Sequence, residues 1–231
     1  MEKAIGRTVP IIDLFAGLGG LGEGFSVFQT PDGQQPFKIA LSIGKDRDAH
    51  QMLTLRSFFR QFELRGPPEE YYEHLRRADE PEPELRNCLF NAHPEQAFQV
   101  VNSALRAELG VDDPRAIRDC IRKALEKYND FVLLGGPPCQ AHSFIGRVRM
   151  SGQDPEKYEK DPRHYLYQEY LRILATHRPP VFVMENMPGL MSSQANGEGI
   201  FGKIHNDLYM PQSAGGVKRV CGRRSPERTV T

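Results

Sequence analysis

Four mostly apolar segments, separated by longer amphipathic stretches, set the hydrophobic pattern of this 231-residue chain. Short apolar runs of this kind are typical of strands that are buried on both faces of a sheet. They predict strands at residues 9–13, 37–43, 131–134 and 181–184. Because stretches with helical spacing alternate with these strands, the pattern predicts an α/β fold with a mostly parallel sheet and helices on both faces.

The amphipathic stretches predict helices at residues 48–62, 95–109, 113–128 and 165–177. Asp113 as a cap and Pro114 in the first turn mark the start of the third of these helices. We expect the charged, proline-punctuated insertion that follows the first helix to be exposed, with some helix of its own. The segments without a clear period are this insertion at 63–94, a polar and basic loop at 139–164, and an irregular tail at 211–231.

Composition narrows the class of protein without indicating a function. The chain carries 30 basic and 30 acidic side chains, so that binding of a polyanion would require a local patch. Its four cysteines include no Cys-x-x-Cys pair, which argues against a zinc site or a disulfide framework and favours a reducing compartment. No apolar run approaches the ~20 residues of a membrane span, and the N-terminus has no signal-peptide core. We therefore expect a soluble intracellular protein that binds no metal and no membrane.

A glycine-rich turn at residues 15–25 joins the first predicted strand to a helix. Glycines let a ligand approach the backbone, yet a plain tight turn has the same composition. The spacing differs from the dinucleotide pattern Gly-x-Gly-x-x-Gly, and no Lys-Ser/Thr pair follows as it does in a P-loop. The turn by itself leaves a binding site and a structural turn both open.

Two reactive side chains follow the third and fourth predicted strands. Cys139 comes after Gly-Gly-Pro-Pro, a rigid setting that favours a nucleophilic thiol, although a buried inert cysteine stays open as an alternative. Glu185 is either an acid that caps a turn or a general acid or base. Because the carboxyl ends of parallel strands lie at one edge of a sheet, we expect the glycine turn, Cys139 and Glu185 to share that edge.

Taken together and in this order, the three segments resemble motifs I, IV and VI of the DNA cytosine-5 methyltransferases. The resemblance is carried by Asp13-Leu14-Phe15-Ala16-Gly17-Leu18-Gly19-Gly20, by Gly136-Pro137-Pro138-Cys139-Gln140 and by Glu185-Asn186. It implies a Rossmann-like, S-adenosylmethionine-dependent methyltransferase fold over residues 1–210. Since the family continues with further motifs, it also implies a fold that is incomplete at the C-terminus and lacks the target-recognition region.

The resemblance implies S-adenosyl-L-methionine as the cofactor, bound across the glycine turn with Phe15 against the adenine. The family's usual ribose-binding acid at the end of the second strand is replaced in this chain by Gly44, from which we expect weaker cofactor binding. The residues that the resemblance assigns to the cofactor site are Asp13, Phe15, Ala16, Gly17, Gly19, Gly20, Leu21, Asp46 and Pro138.

The same resemblance implies a reaction on double-stranded DNA, with the target cytosine flipped out of the duplex. Cys139 would attack carbon 6 of the ring, Glu185 would contact ring nitrogen 3, and Asn186 would brace the catalytic loop. That loop would close over the DNA backbone through Gln140, Ser143, Arg147 and Arg149.

Two other functions stay open beside this one. The chain could be a truncated, catalytically inactive fragment of such an enzyme, or a tRNA cytosine-5 methyltransferase. The family's common setting implies a restriction–modification system, with a cognate restriction endonuclease that makes no direct contact. It also implies localisation in a bacterial-type cytoplasm, in association with the nucleoid.

Overall fold

The computed structural model describes residues 8–77, 82–137, 166–185, 194–195 and 198–211. Its strands are β1 (Val9–Leu14), β2 (Phe37–Gly44), β3 (Ala104–Arg106), β4 (Val132–Gly135), β5 (Val181–Met184), β6 (Gln194–Ala195) and β7 (Glu198–Gly199). Its helices are α1 (Gly20–Ser26), α2 (Arg47–Phe59), α3 (Glu69–Arg76), α4 (Glu82–Ala92), α5 (Pro94–Ser103), α6 (Pro114–Ala124), α7 (Leu166–His177) and α8 (Ile200–Tyr209), and a 3-10 turn (Arg60–Arg65) follows α2.

Five strands form one parallel sheet in the order β3-β2-β1-β4-β5, and β6 pairs with β7 in a separate antiparallel ribbon. The central strand β1 places Leu14 opposite Ile43 of β2 and opposite Gly135 of β4. Gly135 in turn lies opposite Met184 of β5. Because all five strands run in one direction, their carboxyl ends meet at one edge, and the predicted α/β fold with a parallel sheet is confirmed. The strand order turns back between β1 and β4, which in such sheets is where ligands bind.

The prediction of a helix at residues 95–109 is wrong for residues 104–109. α5 ends at Ser103, and Ala104–Arg106 continues directly as β3, which pairs in parallel with β2. Three residues carry too little pattern to be distinguished from the end of a helix, so that only the pairing with β2 reveals this strand. Its carboxyl end reaches the same sheet edge as those of its neighbours.

Two apolar layers enclose the sheet. Ile12 and Leu14 of β1 belong to the cluster that α6, α7 and α8 cover. Ile11 belongs to the cluster on the other face, where Leu21 of α1 packs. Successive side chains of a strand point to opposite faces, so that Asp13 shares the face of Ile11 and lies under α1.

The charged segment between α2 and α5 is not simply exposed, because part of it packs around an aromatic side chain of α2. Phe58 is fully buried and stacks on Tyr71 of α3 and Phe90 of α4. Leu89 is buried in the same cluster. The helices α2 to α5 therefore share a small apolar core of their own, which the proline and charge content of the sequence did not indicate.

Candidate cofactor and active site

A cavity of about 170 Å³ opens at the carboxyl edge of the sheet, beyond the ends of β1, β2, β3 and β4. It lies where the strand order turns back, which is the usual place of a ligand site in this type of sheet. Apolar side chains and glycine backbone make up much of its wall. The lining residues are Phe15, Gly17, Ile43, Gly44, Lys45, Asp46, Ala107, Glu108, Leu109, Gly136 and Leu166.

The glycine turn adopts backbone conformations that favour glycine. Gly17 and Gly19 have φ angles of 53° and 82°, and Phe15 also has a positive φ of 55°, which is strained for a residue with a side chain. The amide of Ala16 donates a hydrogen bond to the carbonyl of Ile43 at 2.9 Å, which ties the turn to the end of β2. Among the described residues other than its chain neighbours, no atom lies within 4 Å of where a Cβ atom on Gly17 would be, so the backbone there is open to a ligand.

Three of the residues predicted to bind the cofactor line the cavity, namely Phe15, Gly17 and Asp46. Asp46 has a second role, because its carboxylate accepts a hydrogen bond from the amide of Ala49 at 2.7 Å and thereby caps α2. The structure therefore explains the acid at this position by helix capping, and its contact with a cofactor stays a prediction.

Five other predicted cofactor residues are not part of the cavity lining: Asp13, Ala16, Gly19, Gly20 and Leu21. Gly19 precedes α1 and packs against Leu53 of α2, to which a Cβ atom on Gly19 would come within 2.7 Å. Gly20 begins α1, and Leu21 packs on the sheet beneath it. These residues shape the turn, and their direct contact with a cofactor stays a prediction.

Gly44, at the end of β2, faces the glycine turn. A Cβ atom there would lie 3.6 Å from the amide nitrogen of Gly17, an ordinary van der Waals distance. The neighbouring Lys45 ammonium group pairs with the Glu108 carboxylate at 3.0 Å. The position where the resemblance implies a ribose-binding acid therefore has room for a Cβ atom, and the Lys45 ammonium group belongs to the next residue.

The carboxylate of Asp13 lies under α1, where the residue is only 1% exposed. Its Oδ2 atom has no hydrogen-bond partner within the described residues and would lie 2.8 Å from a Cβ atom on Gly22. Burial raises the pKa of Asp13 to about 6, against the opposing effects of the Arg60 guanidinium and the Gly22 amide. Arg60 donates a hydrogen bond to the Glu23 carboxylate of α1 at 2.8 Å.

Glu185 follows β5 directly, and its amide donates a hydrogen bond to the carbonyl of Gly135 at 3.0 Å. Its side chain is exposed and reaches over Gly136, since a Cβ atom on that glycine would be 2.7 Å from Oε2 of Glu185. Gly136 also lines the cavity and comes three positions before Cys139 in the sequence. The glutamate therefore lies at the sheet edge that carries the glycine turn, beside the segment that leads to Cys139.

The remaining predicted site residues lie outside the described residues, and their roles stay predictions. They are Pro138, Cys139, Gln140, Ser143, Arg147, Arg149 and Asn186.

Lys45 and Glu108 are cavity residues that the sequence interpretation missed. Glu108 follows β3, which the helical pattern concealed. The amide of Ala107 donates a hydrogen bond to the carbonyl of Gly44 at 3.1 Å and so holds this segment beside β2. An acid just after a strand end would have been a signal, had β3 been recognised.

The described ranges contain neither a membrane-spanning helix nor a metal-binding cluster. No helix there is both long and apolar enough to span a membrane. No group of three or more histidine, cysteine, aspartate or glutamate side chains there is arranged to hold a metal ion.

The strand order and the cavity at the turning point define a methyltransferase-type α/β fold, and comparison with known proteins gives the family. Residues 95–209 match the C-5 cytosine-specific DNA methylase family. Type II methyltransferase M.Bpa9945I of Bacillus paralicheniformis is 31% identical over 211 residues, which cover 86% of this chain and 43% of that protein. Type II methyltransferase M1.BsuMI of Bacillus subtilis is 32% identical over 108 residues, which cover 47% of this chain and 21% of that protein. Type II methyltransferase M1.HphI of Haemophilus parahaemolyticus is 38% identical over 61 residues, which cover 26% of this chain and 15% of that protein.

The chain belongs to the family of C-5 cytosine-specific DNA methylases. The resemblance found in the sequence is thereby confirmed, and the matched region includes Glu108, Gly136 and Glu185. The chain spans less than half the length of the relatives described above.

Proposed function

We propose that this chain binds S-adenosyl-L-methionine in the cavity and supplies the cysteine and the glutamate for methylation of cytosine carbon 5 in double-stranded DNA. The observation that carries the proposal is the convergence of the glycine turn, Gly136 and Glu185 at one edge of the sheet. Family membership supports the same reaction. Because the matched part covers less than half of each of these relatives, the complete activity is proposed for a protein of their length.

The residues of the cavity fit a nucleoside cofactor. Phe15, Ile43 and Leu109 offer apolar surface to a heterocycle, and the open backbone of Gly17 permits close approach. Glu108 offers a carboxylate to an exocyclic amine. When bound, S-adenosyl-L-methionine would supply an electrophilic methyl group.

The reaction itself would use the side chains at the carboxyl ends of β4 and β5. The Cys139 thiolate would form a bond to carbon 6 of the flipped cytosine, while Glu185 would hold or deliver a proton at ring nitrogen 3. After carbon 5 has taken the methyl group, a base would remove the proton from carbon 5, the bond between sulfur and carbon 6 would break, and the thiolate would be regenerated. Asn186 would brace the loop, and the DNA backbone would be contacted by Gln140, Ser143, Arg147 and Arg149.

The type II names of the relatives support a restriction–modification setting. In that setting we propose a cognate endonuclease that makes no direct contact with this chain. One observation favours a second candidate, a fragment that binds ligand without turnover. Gly44 supplies no side chain at the expected ribose position, and Lys45 places a cation next to it. Loss of hydrogen bonds to a charged acceptor typically costs about 2–4 kcal/mol, which would weaken cofactor binding strongly.

Covalent capture by duplex DNA that contains 5-fluorocytosine tests the proposal. The 231-residue chain, alone and fused to the C-terminal part of M.Bpa9945I, is incubated with this DNA and S-adenosyl-L-methionine. We expect a complex that survives denaturing electrophoresis and is lost in Cys139→Ser, because a hydroxyl is a far poorer nucleophile at neutral pH. Cys88→Ser, at an exposed cysteine, is the matched control and should be captured normally.

Three results separate the candidate functions. Capture that persists in Cys139→Ser would contradict the role of this cysteine. Capture on tRNA and not on duplex DNA would favour the tRNA-directed relative. Cofactor binding in calorimetry without capture in either form of the chain would favour the inactive fragment.

A further inference from the structure

Charged side chains beneath and beside α1 have no role in the reaction described above. Asp13 lies below the helix, and Arg60, which follows α2, donates a hydrogen bond to Glu23 on the helix at 2.8 Å. The Arg60 side chain is only 16% exposed. Burial raises the pKa of Asp13 and lowers the pKa of Arg60, and the charge of each residue partly opposes the shift of the other, so that the two groups interact electrostatically. Arg60 therefore binds an acid on α1 directly and acts on an acid of the sheet through its charge.

These contacts leave α1 little freedom. The helix approaches the sheet so closely at Gly22 that a Cβ atom there would meet Oδ2 of Asp13 at 2.8 Å. At the start of the helix, a Cβ atom on Gly19 would meet Leu53 of α2 at 2.7 Å. Since the glycine turn runs directly into α1, the position of this helix fixes the part of the turn that lines the cavity.

Stability alone does not account for a carboxylate at this position. Burial of a charged group is unfavourable, and Oδ2 of Asp13 has no hydrogen-bond partner within the described residues. A neutral side chain of the same size would avoid this cost. Costly buried charges concentrate at functional sites, which indicates a role in the neighbouring cavity.

We infer that Asp13, Arg60 and Glu23 form an electrostatic clamp that positions the glycine turn for the cofactor. Asp13 attracts the guanidinium of Arg60 from β1, and Glu23 binds it from α1, so that the helix is held against the sheet. Asp13 is then a positioning residue that does not touch the ligand. The inference rests on the proposed function, because the ligand is S-adenosyl-L-methionine.

The clamp predicts a pH dependence of cofactor affinity. Among the described residues, the charged groups that act on Asp13 and Arg60, besides each other, are Glu23 and Arg56. Because burial raises the pKa of Asp13 to about 6, its carboxylate becomes neutral as the pH falls through this value and then attracts Arg60 less. We therefore expect the parent chain to bind S-adenosyl-L-methionine more weakly at about pH 5 than at about pH 7.5.

Calorimetry on the 231-residue chain tests this dependence with the intact cofactor. Asp13→Asn should bind S-adenosyl-L-methionine about tenfold more weakly than the parent at about pH 7.5, and its affinity should change little between about pH 5 and about pH 7.5. Arg60→Met should weaken binding in the same direction, and Arg60→Lys should restore part of it. Arg56→Met is the matched control, because this arginine is 4.0 Å from Glu23 and more exposed. Its affinity should stay within about twofold of the parent value.

Hydrogen exchange measured by mass spectrometry without cofactor gives a separate readout. In Asp13→Asn and Arg60→Met, the peptide that covers residues 15–26 should exchange several-fold faster, while the peptide that covers β4 should not change. A parent chain that binds no S-adenosyl-L-methionine would refute the proposed function, and the exchange result would still decide the clamp. Unchanged exchange in residues 15–26, or equal acceleration in β4, would overturn it. If Asp13→Asn does not fold, Arg60→Met decides by the same criteria.

Discussion

Asp13 and Glu185 occupy similar places in the sequence, each at the carboxyl end of a strand that pairs with β4. Asp13 is 1% exposed under α1, and its charge interacts with Arg60. Glu185 is exposed and reaches over Gly136 at the cavity. The difference arises because Asp13 is still within β1, on the face that α1 covers, whereas Glu185 lies one residue beyond β5.

This comparison separates two uses of the same chemical group. A carboxylate that a helix covers cannot reach a substrate, so it acts on the fold and through the fold on the turn. A carboxylate beyond the last paired residue is free to contact a ligand but contributes little to stability. Changes at Glu185 should therefore affect activity and leave stability unchanged, whereas changes at Asp13 should affect stability, and cofactor binding only through the turn.

The largest expected effect is at Glu185. In the chain fused to the C-terminal part of M.Bpa9945I, Glu185→Gln should lower methyl transfer to duplex DNA by about 100-fold to 10,000-fold, because an amide cannot deliver a proton to ring nitrogen 3. The melting temperature should not change, since the side chain is exposed. Transfer of labelled methyl groups measures the loss, and Glu126→Gln, at another exposed acid, is the control. Near-parental activity would show that Glu185 is not the proton donor.

At Asp13 the expected change is a gain in the free energy of unfolding. The pKa of Asp13 is about 6 in the folded chain and 3.8 in its ordinary range, so the folded state favours the protonated form. The parent therefore loses stability as the pH rises from about 4 to about 6, by at most about 3 kcal/mol from this group. Asp13→Asn should lack this loss, so its free energy of global unfolding should exceed that of the parent at about pH 8, even though α1 opens locally more readily in this variant. Urea unfolding of both chains over this pH range measures the difference, and equal pH profiles would contradict the buried charge.

Two glycines of α1 test how closely the helix lies on Asp13. Gly22→Ala should destabilise the chain by about 1–3 kcal/mol, because the new methyl group would meet Oδ2 of Asp13 at 2.8 Å and Ile39 at 3.3 Å. Gly24→Ala is the matched control in the same helix, because among the described residues outside the helix's own backbone no atom lies within 4 Å of the new group. It should be neutral or stabilise by up to about 1 kcal/mol, because alanine favours a helix. Equal free energies of unfolding for the two variants would mean that α1 does not rest on Asp13.

The smallest expected effect is on cofactor binding and concerns Gly44 in the cavity lining. Gly44→Glu should tighten binding of S-adenosyl-L-methionine by about tenfold, which corresponds to about 1.4 kcal/mol, because a carboxylate would accept hydrogen bonds from the ribose hydroxyls. A Cβ atom at this position would lie at an ordinary van der Waals distance from Gly17. Calorimetry on the 231-residue chain and on the fusion measures the gain, with Gly44→Gln as the uncharged control. No gain in the fusion would show that Gly44 does not face the ribose.

Much of the fold could be predicted because its signals are local. The apolar runs at β1, β2, β4 and β5 correspond to the predicted strands, and the carboxylate of Asp113 accepts a hydrogen bond from the amide of Arg115 as the predicted cap of α6. β3 was missed, because three residues that continue from a helix acquire strand character only by pairing with β2. Glu108 was missed with it, since its place at the cavity depends on that pairing.

The sequence by itself determined the alternation of strands and helices, the glycine turn and the family motifs, because these depend on residue type and spacing along the chain. Only the tertiary structure decided which of these residues share a cavity and which are buried. Asp13 belongs to the same motif as Phe15, yet one faces α1 and Arg60 whereas the other lines the cavity. The physical reason is that burial and charge pairing depend on how helices cover a sheet, and residues distant in sequence, such as Arg60, take part in both.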